Sequence, residues 1–387
     1  MQNAKVVIGS GYGDEGKGLI CDYLASPNTM VVRFSSGANA GHTVVRDGKR
    51  HVFRHFGSGT LKGAGTYLSR FFIHNPILYF QELRQLHDLG VSPQVAVDKD
   101  GLLTVCYDMM INQMVEMQRG QTRHGSCGVG INETIKRSEA GYSILVDDLP
   151  RADLRDMLRA IRTEWVPERL QQLDIVPSAE WQDRLDSAAI LDAYIEHCAA
   201  YHRQVTVRPL LDCRGDLLFE GAQGLLLDED HEWFPYVTHA HTGLRNVVAL
   251  VDGLDLEVIY VTRAYATRHG PGPFPREVNG LRYADATNVP NDWQGTLRFG
   301  HLDLDLLVKS VRHDLTHAHR PVRVGLAITC LDQVTPATVV WYEGHRWEVT
   351  PDRLVGLARQ AVAPETCLLS TGAEATAVDF ASAIYAL

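Results

Sequence analysis

The sequence contains no run of 18 apolar residues, about the minimum a helix needs to cross a bilayer. It also contains no CxxC pair. Its seven cysteines, at positions 21, 106, 127, 198, 213, 330 and 367, are odd in number and widely spaced. That argues against a zinc knuckle or a disulfide framework and leaves reduced thiols. Positive charge is not in excess: 37 Lys and Arg stand against 47 Asp and Glu, a net charge of −10. Broad binding to nucleic acid or to an anionic membrane is therefore not expected, although a local basic cleft is still allowed. The N-terminus, MQNAKVVIGSGYG, lacks the basic start and long apolar run of a signal peptide, so the expectation is a cytoplasmic protein. There is no internal repeat and no low-complexity linker. What is present is 45% hydrophobic and 22% charged residues over 387 positions. That is globular composition, and the length allows one large α/β domain or two smaller ones.

Residues 4–9 (AKVVIG) are a short apolar run ending in glycine and read as a buried parallel strand. A helix around Leu19–Leu24 and a second run from Met30 to Phe34 follow. This βαβ opening predicts an α/β protein with a large, mainly parallel central sheet and flanking helices. Further strands are expected at Leu217–Phe219, Val258–Thr262 and Val324–Thr329, each running into polar or glycine-rich residues. Ligands collect at such carboxyl ends. Residues 151–204 alternate charges with Leu, Ile, Met and Trp at helical spacing. They predict a helical subregion that Pro167 and Pro177 break into pieces. Residues 264–300, rich in Gly, Pro, Asn and Arg, predict functional loops.

The strongest local signal is the run GSGYGDEGKG at 9–18. It overlaps a dinucleotide fingerprint (Gly11, Gly13, Gly16) and most of a P-loop (Gly11, Gly16, Lys17). A dinucleotide site places a carboxylate at the end of the second strand, where this chain has Arg33. A lysine inside the turn suits phosphate, because backbone N–H groups and a cation converge on it. Gly18 stands where a P-loop carries the Mg²⁺-binding hydroxyl. Asp14 is then the metal ligand to expect, since Mg²⁺ prefers hard oxygen donors. A second element, SGANAGHT at 36–43, lies just beyond strand two. It brings His42 toward Asp14, and an imidazole facing a carboxylate across one nucleotide can serve as acid and base.

Four blocks in order, GYGDEGKG, NAGHTVV, FEGAQG-LLLD-D-----PYVT at 219–238 and AYATRHGPGPFP at 264–275, resemble the adenylosuccinate synthetase family. The resemblance implies that family's P-loop-like fold as one domain over 1–387. It also implies a C–N ligase. A 6-oxopurine nucleotide is phosphorylated on O6 by a nucleoside triphosphate, and L-aspartate displaces the phosphate. By resemblance Asp14 is the base that removes the N1 proton and a Mg²⁺ ligand, with the Gly41 carbonyl as a second ligand. His42 and Lys17 stabilise the transferring phosphoryl group. Gly13, Glu15, Gly16 and Gly18 belong to the donor-phosphate loop. Asp332, in TCLD, corresponds to the residue that reads the donor's base, and Ser370 and Gly372 correspond to the loop over it. Cys330 replaces the usual lysine there, leaving ATP and GTP both open as donors. Asn39, Gln223, Thr238 and Arg268 match acceptor-nucleotide contacts. Ser126 and Cys127 match a phosphate turn. Arg137 corresponds to an arginine reaching the phosphate across a homodimer interface. The substrates are small molecules, so no nucleic-acid or membrane partner is implied.

The family's four-arginine loop, which grips aspartate and ribose, is here Trp293-Gln-Gly-Thr-Leu-Arg298. One arginine, Arg298, remains. Fewer guanidinium donors mean weaker recognition of a ribose 2′-hydroxyl. This departure resembles the family's phage branch, which joins aspartate to dGMP on the way to 2-aminoadenine nucleotides. The expected acceptor is dGMP, giving N6-succino-2-amino-2′-deoxyadenylate, with IMP as the alternative. A non-catalytic nucleotide-binding protein on the same fold and an NAD-dependent dehydrogenase are the competing classes. The combination of Asp14, Lys17, His42 and Gln223 argues against the first, and Arg33 with Lys17 against the second.

Overall fold

The computed structural model describes residues 4–119, 128–285 and 296–381. Its centre is a ten-stranded sheet. Strand β1 (Ala4–Gly9) leads through the glycine loop into helix α1 (Lys17–Leu24) and strand β2 (Thr29–Arg33). Between β1 and β2 runs the long strand Asp216–Gly224, parallel to both. On its other side β1 pairs with Leu256–Arg263, which is followed outward by Arg323–Thr329 and Thr366–Ser370. Beyond β2 lie Gly65–Leu68, Val95–Val97 and Thr206–Val207. Among the described strands of this sheet, only the edge strand Val378–Phe380 is antiparallel.

Alternation along the strands builds two faces. Val6, Ile8, Phe219, Val258 and Tyr260 pack in one cluster, beneath the helices Leu244–Leu250 and Leu304–Leu315. Val7, Leu218, Ile259 and Val261 pack in another, with Leu19, Ile20 and Cys21 of α1. Because both faces are covered, these strands read as continuous apolar runs. A third cluster lies under the helical region and includes Leu83, Ile111, Leu158, Trp165 and Tyr201.

The helical subregion is present, as Leu154–Ala160, Ile161–Trp165, Val166–Gln172, Ala179–Asp186 and Ala188–Gln204. The predicted break at Pro167 is not. The preceding turn is a π-turn, and Pro167 sits at the start of the next helical stretch. Proline has no N–H to donate, and this position asks for none. Chain separation occurs around Pro177, as expected, before the helix that Ser178 caps.

Because the strands are parallel, their carboxyl ends share one edge. The glycine loop, the 34–42 loop, and the segments after Gln223, Arg263, Thr329 and Ser370 all emerge there. Four non-glycine residues with left-handed backbone sit on this edge: Asp14 (φ 62°), Ser36 (63°), Gln223 (61°) and Cys330 (60°). Such conformations cost free energy and concentrate where function demands them. The hairpin β3 (His42–Arg46) and β4 (Lys49–Phe53) folds over the same edge, touching the far end of the sheet through Val45 and Glu374. No helix among the described residues is long and apolar enough to cross a membrane.

Candidate active site

The glycine loop holds its own carboxylate. Glu15 Oε1 accepts from the backbone N–H of Gly11 (3.0 Å) and Gly13 (2.8 Å), and Lys17 Nζ lies 2.7 Å from Glu15 Oε2. Both side chains are buried. The loop therefore presents the converging donors of an anion nest, with a carboxylate occupying part of it. Thr329 Oγ1 donates to the Glu15 carbonyl (2.7 Å), and the Thr329 side chain fills the space beside Gly16 (φ 97°). The loop is thus pinned to the neighbouring strand end. Gly18 meets the hairpin so closely that a Cβ there would lie 3.0 Å from His42 Cβ. The absence of a P-loop hydroxyl at this position has a steric reason: the hairpin occupies its room.

Asp14 is half-buried. Its carbonyl accepts from Arg263 Nε at 2.6 Å, and its Oδ2 lies 3.2 Å from His269 Nε2. Burial pushes its carboxyl upward. The bond to His269 and the charges of His269, Arg263 and Lys17 outweigh that, so it titrates below the usual range. It is an anion at neutral pH.

His42 is buried, and its Nδ1 lies 2.6 Å from Glu220 Oε1. Glu220 is fully buried in the strand Asp216–Gly224. It accepts from the Ser58 N–H (3.0 Å) and from the Ser58 hydroxyl, and stands beside Arg33 in register. Burial alone pushes its carboxyl upward, but His42, Arg33 and Ser58 reverse that and bring it to about 2. His42 itself is pulled below its ordinary value by burial, with Arg33 and Lys17 adding to the effect of burial and Glu220 opposing them. The ring is neutral at pH 7, with its Nδ1 hydrogen held by Glu220 and Nε2 as its other polar atom.

Gln223 follows Glu220 on the same strand, where the pairing with β1 shifts register. Its left-handed backbone turns the side chain toward Gly13. Asn39 Oδ1 accepts from the Ser36 hydroxyl and the Gly37 N–H, which fixes its amide orientation. The Thr238 N–H donates to the Leu227 carbonyl. Asp332 is exposed just after the strand Arg323–Thr329, and Ser370 Oγ donates to the Gly372 carbonyl at the end of the adjacent strand. These residues all lie on the carboxyl edge.

Three arginines are held by groups of this chain. Arg137 is fully buried, and its guanidinium donates to both oxygens of Asp108 and to the carbonyls of Leu103 and Tyr142. A cation with those partners is an internal strut. Arg268 is buried, donates to the carbonyls of Tyr236, Pro271 and Pro273, and lies over the rings of Tyr12 and Trp233. Arg298 pairs with Glu277 and donates to the carbonyls of Gly270 and Gly272. The phosphate turn at Ser126 and Cys127, and the segment 286–295, lie outside the described residues.

The Asp14 carboxylate is partly exposed and Gly41 is exposed, and each offers the kind of hard oxygen that Mg²⁺ takes. A separate group, Asp228, Asp230 and His241, has ligand atoms within 4.8 Å of one another. There the Arg245 guanidinium already lies 2.6 Å from Asp230 and 2.8 Å from His241 Nε2, so that group has its cation.

Sequence reasoning overlooked Glu220, Ser58, Arg263 and His269. Glu220 had a signal: a carboxylate inside the apolar strand LLFEGA must have a buried partner. Ser58 and Arg263 had none. His269 sat in a quoted motif with nothing to show what it faces.

A family profile described as adenylosuccinate synthetase matches residues 6–340. The adenylosuccinate synthetase of Paraburkholderia phymatum is 34% identical over 284 residues, covering 70% of this chain and 62% of that protein. The one from Clostridium kluyveri is 34% identical over 333 residues, covering 80% and 75%. The chain thus spans less than two thirds of the length of several relatives it matches. Among solved structures, the fully ligated adenylosuccinate synthetase of Plasmodium falciparum superposes with a TM-score of 0.75 at 16% identity, covering 98% of this chain and 100% of that one. The succinoaminodeoxyadenylate synthetase of cyanophage S-2L, bound to dGMP and dATP as an energy donor, superposes with a TM-score of 0.59 at 17% identity, covering 98% and 95%. At such identities the superpositions speak for the fold, and the profile and curated relatives speak for descent: this chain belongs to the adenylosuccinate synthetase family.

Proposed function

We propose that this chain is a ligase that joins L-aspartate to C6 of a 6-oxopurine nucleotide through a 6-phosphoryl intermediate, with dGMP as its acceptor. The observation that carries the ligase reading is the grouping of an anionic Asp14, a loop lysine and the His42–Glu220 pair around one anion nest. A protein that only binds nucleotide has no use for a carboxylate base and a buried imidazole–carboxylate pair together.

Asp14 takes the N1 proton, and the N1–H electron pair moves through the ring onto O6. O6 then attacks the γ-phosphorus of the donor, and the nucleoside diphosphate leaves. Lys17 compensates the charge on the transferring group, exchanging the Glu15 carboxylate for phosphate. His42, neutral beforehand, takes a proton from solvent on Nε2 as the phosphoryl anion approaches, because a new negative charge favours the imidazolium and Glu220 already stabilises it. The neutral amine of aspartate then attacks C6, the C6–O6 bond breaks and phosphate departs with O6, taking the His42 Nε2 proton, while the surplus proton on the new nitrogen and the one held by Asp14 pass to solvent. Mg²⁺, held by Asp14 and Gly41, supplies positive charge to the donor phosphates when bound.

The acceptor reading rests on Arg298. Its guanidinium makes four hydrogen bonds to Glu277 and to two backbone carbonyls, which leaves at most one of its five N–H groups for a ribose 2′-hydroxyl. A site without that bond loses its reason to prefer a ribonucleotide. The cyanophage neighbour, with dGMP bound, supports the same acceptor. IMP is the second reading, favoured by the conventional synthetases among the curated relatives. A homodimer is part of the proposal, with an interface that does not depend on Arg137. The deciding experiment supplies Mg²⁺ and L-aspartate with ATP, GTP or dATP, and offers dGMP, IMP and GMP separately. Succinyl nucleotide is followed by mass. No product from any acceptor removes the ligase reading, and product from IMP alone removes the dGMP assignment.

A further inference from the structure

We propose that His269 is a positioning residue for Asp14, and that Arg268 and Arg298 serve the reaction through it by holding its loop. The inference rests on the reading of Asp14 as the base that takes the N1 proton.

Asp14 is fixed at one end only by its own backbone, where Arg263 Nε holds the carbonyl at 2.6 Å. That bond locates the residue but leaves rotation about the side-chain bonds. His269 Nε2, 3.2 Å from Oδ2, removes that freedom and leaves Oδ1 for the acceptor. A carboxylate accepts and does not donate, so the hydrogen in this contact belongs to Nε2.

The loop that presents His269 needs outside support. It reads His269-Gly-Pro-Gly-Pro273, with two prolines that donate no N–H. Its carbonyls are tied down by guanidinium groups instead. Arg268 Nη2 reaches Pro271 at 3.0 Å, Arg268 Nη1 reaches Pro273 at 2.9 Å, and Arg298 Nη1 reaches Gly270 and Gly272 at 3.1 Å each. The two arginines face each other across the strand pair Ala266–Arg268 and Arg298–Gly300, with Arg268 opposite Arg298. Gly272 packs so tightly that a Cβ there would lie 2.5 Å from Arg268 Nη2. The residue beside this strand pair is therefore delivered to Asp14 by a stiff arm. Polar contacts of this kind decide whether a base is aimed or merely nearby.

The test compares His269→Ala with His269→Gln in steady-state assays of the full chain, using whichever acceptor wild type converts. Glutamine keeps an N–H donor of similar reach. The expected result is a kcat about 10- to 100-fold lower for His269→Ala, KM values for acceptor and donor changed by less than about threefold, and most of kcat recovered in His269→Gln. Arg298→Ala is expected to show the same kcat-weighted loss and to add little on top of His269→Ala. Melting curves check that the variants fold. An unchanged kcat in His269→Ala overturns the proposal. So does a loss confined to KM, or an equal loss in the alanine and glutamine variants. A wild type that makes no succinyl nucleotide overturns the ligase reading and this inference with it, whereas an active wild type beside an unimpaired His269→Ala overturns this inference alone.

Discussion

Glu220→Gln is the most informative single substitution, because stability and chemistry both depend on that carboxylate. Glu220 is fully buried, and its carboxyl is held at about 2 by His42, Arg33 and Ser58. Unfolded, it titrates near 4.3, so the folded state binds fewer protons and gains stability above that pH. The gain is about 3 kcal/mol, fully present above roughly pH 4.5 and lost as pH falls toward 2. The amide removes the charge and sets an NH₂ group against the Ser58 or His42 donor, leaving Arg33 uncompensated. The loss at pH 7 is then about 3–5 kcal/mol. With an unfolding entropy of about 2.1 cal/mol/K per residue, a chain of 387 residues loses roughly 4–6 °C in Tm. For activity, replacing the carboxylate behind a catalytic imidazole by an amide costs about 10⁴-fold in serine proteases. A drop of roughly 10²–10⁴ in kcat is expected here. Calorimetry at pH 7 and pH 3, with turnover at pH 7, checks both parts. The Tm difference must shrink at pH 3, and Glu220→Gln must cost far less kcat in a His42→Asn background than in wild type. A variant with wild-type Tm and kcat within about twofold would refute the pairing of His42 with a buried anion.

Asp14→Asn is expected to abolish turnover while donor and acceptor binding, measured by calorimetry, persist, since the amide keeps the shape and loses the base. Gly18→Ala introduces a Cβ 3.0 Å from His42 Cβ and 3.2 Å from the Ser58 hydroxyl. Overpacking of about 1–3 kcal/mol is expected to push the hairpin off the loop and appear as a lower kcat/KM together with a lower Tm. Asp108→Asn removes the anion that Arg137 donates to. A stability loss of about 3–5 kcal/mol is expected by denaturant titration, with no dependence on protein concentration. A loss that fades as concentration rises would return Arg137 to an interface.

The main sheet was legible in the sequence because its strands are buried on both faces and read as apolar runs. The strands predicted at 4–9, 217–219, 258–262 and 324–329 lie within Ala4–Gly9, Asp216–Gly224, Leu256–Arg263 and Arg323–Thr329. Glycine spacing carried the phosphate loop for the same kind of reason, since a nest needs residues without side chains. Arginine roles were not legible. A guanidinium donates equally well to a phosphate, a carboxylate or a backbone carbonyl, and spacing does not distinguish them. Arg137 met Asp108, 29 residues earlier in the chain, and Arg268 met the carbonyls of its own proline-rich loop. Pro167 misled because a proline breaks a helix only where its N–H is needed, and a π-turn changes where that is.

The arginine contacts bear on how a chain of net charge −10 would gather the three anionic substrates proposed for it. Three cations at the carboxyl edge, among the described residues, already have partners: Lys17 has Glu15, Arg263 has Asp285 and the Asp14 carbonyl, and Arg298 has Glu277. Only the Lys17–Glu15 pair lies inside the anion nest itself, and only there does an arriving phosphate find both a cation and two backbone N–H groups that can be transferred from one anion to another. A nucleoside triphosphate, with three linked phosphates to spread over Lys17 and Mg²⁺, would displace a tethered carboxylate more readily than a monophosphate, because its charge is larger and its acceptor oxygens are more numerous. On that reasoning Glu15 would set a threshold on the nest. Glu15→Gln, which keeps the shape and removes the charge, is expected to leave Lys17 unneutralised, to strengthen binding of inorganic phosphate measured by calorimetry, and to narrow the preference for triphosphate over phosphate. Unchanged phosphate affinity in that variant would show that the carboxylate only supports the loop.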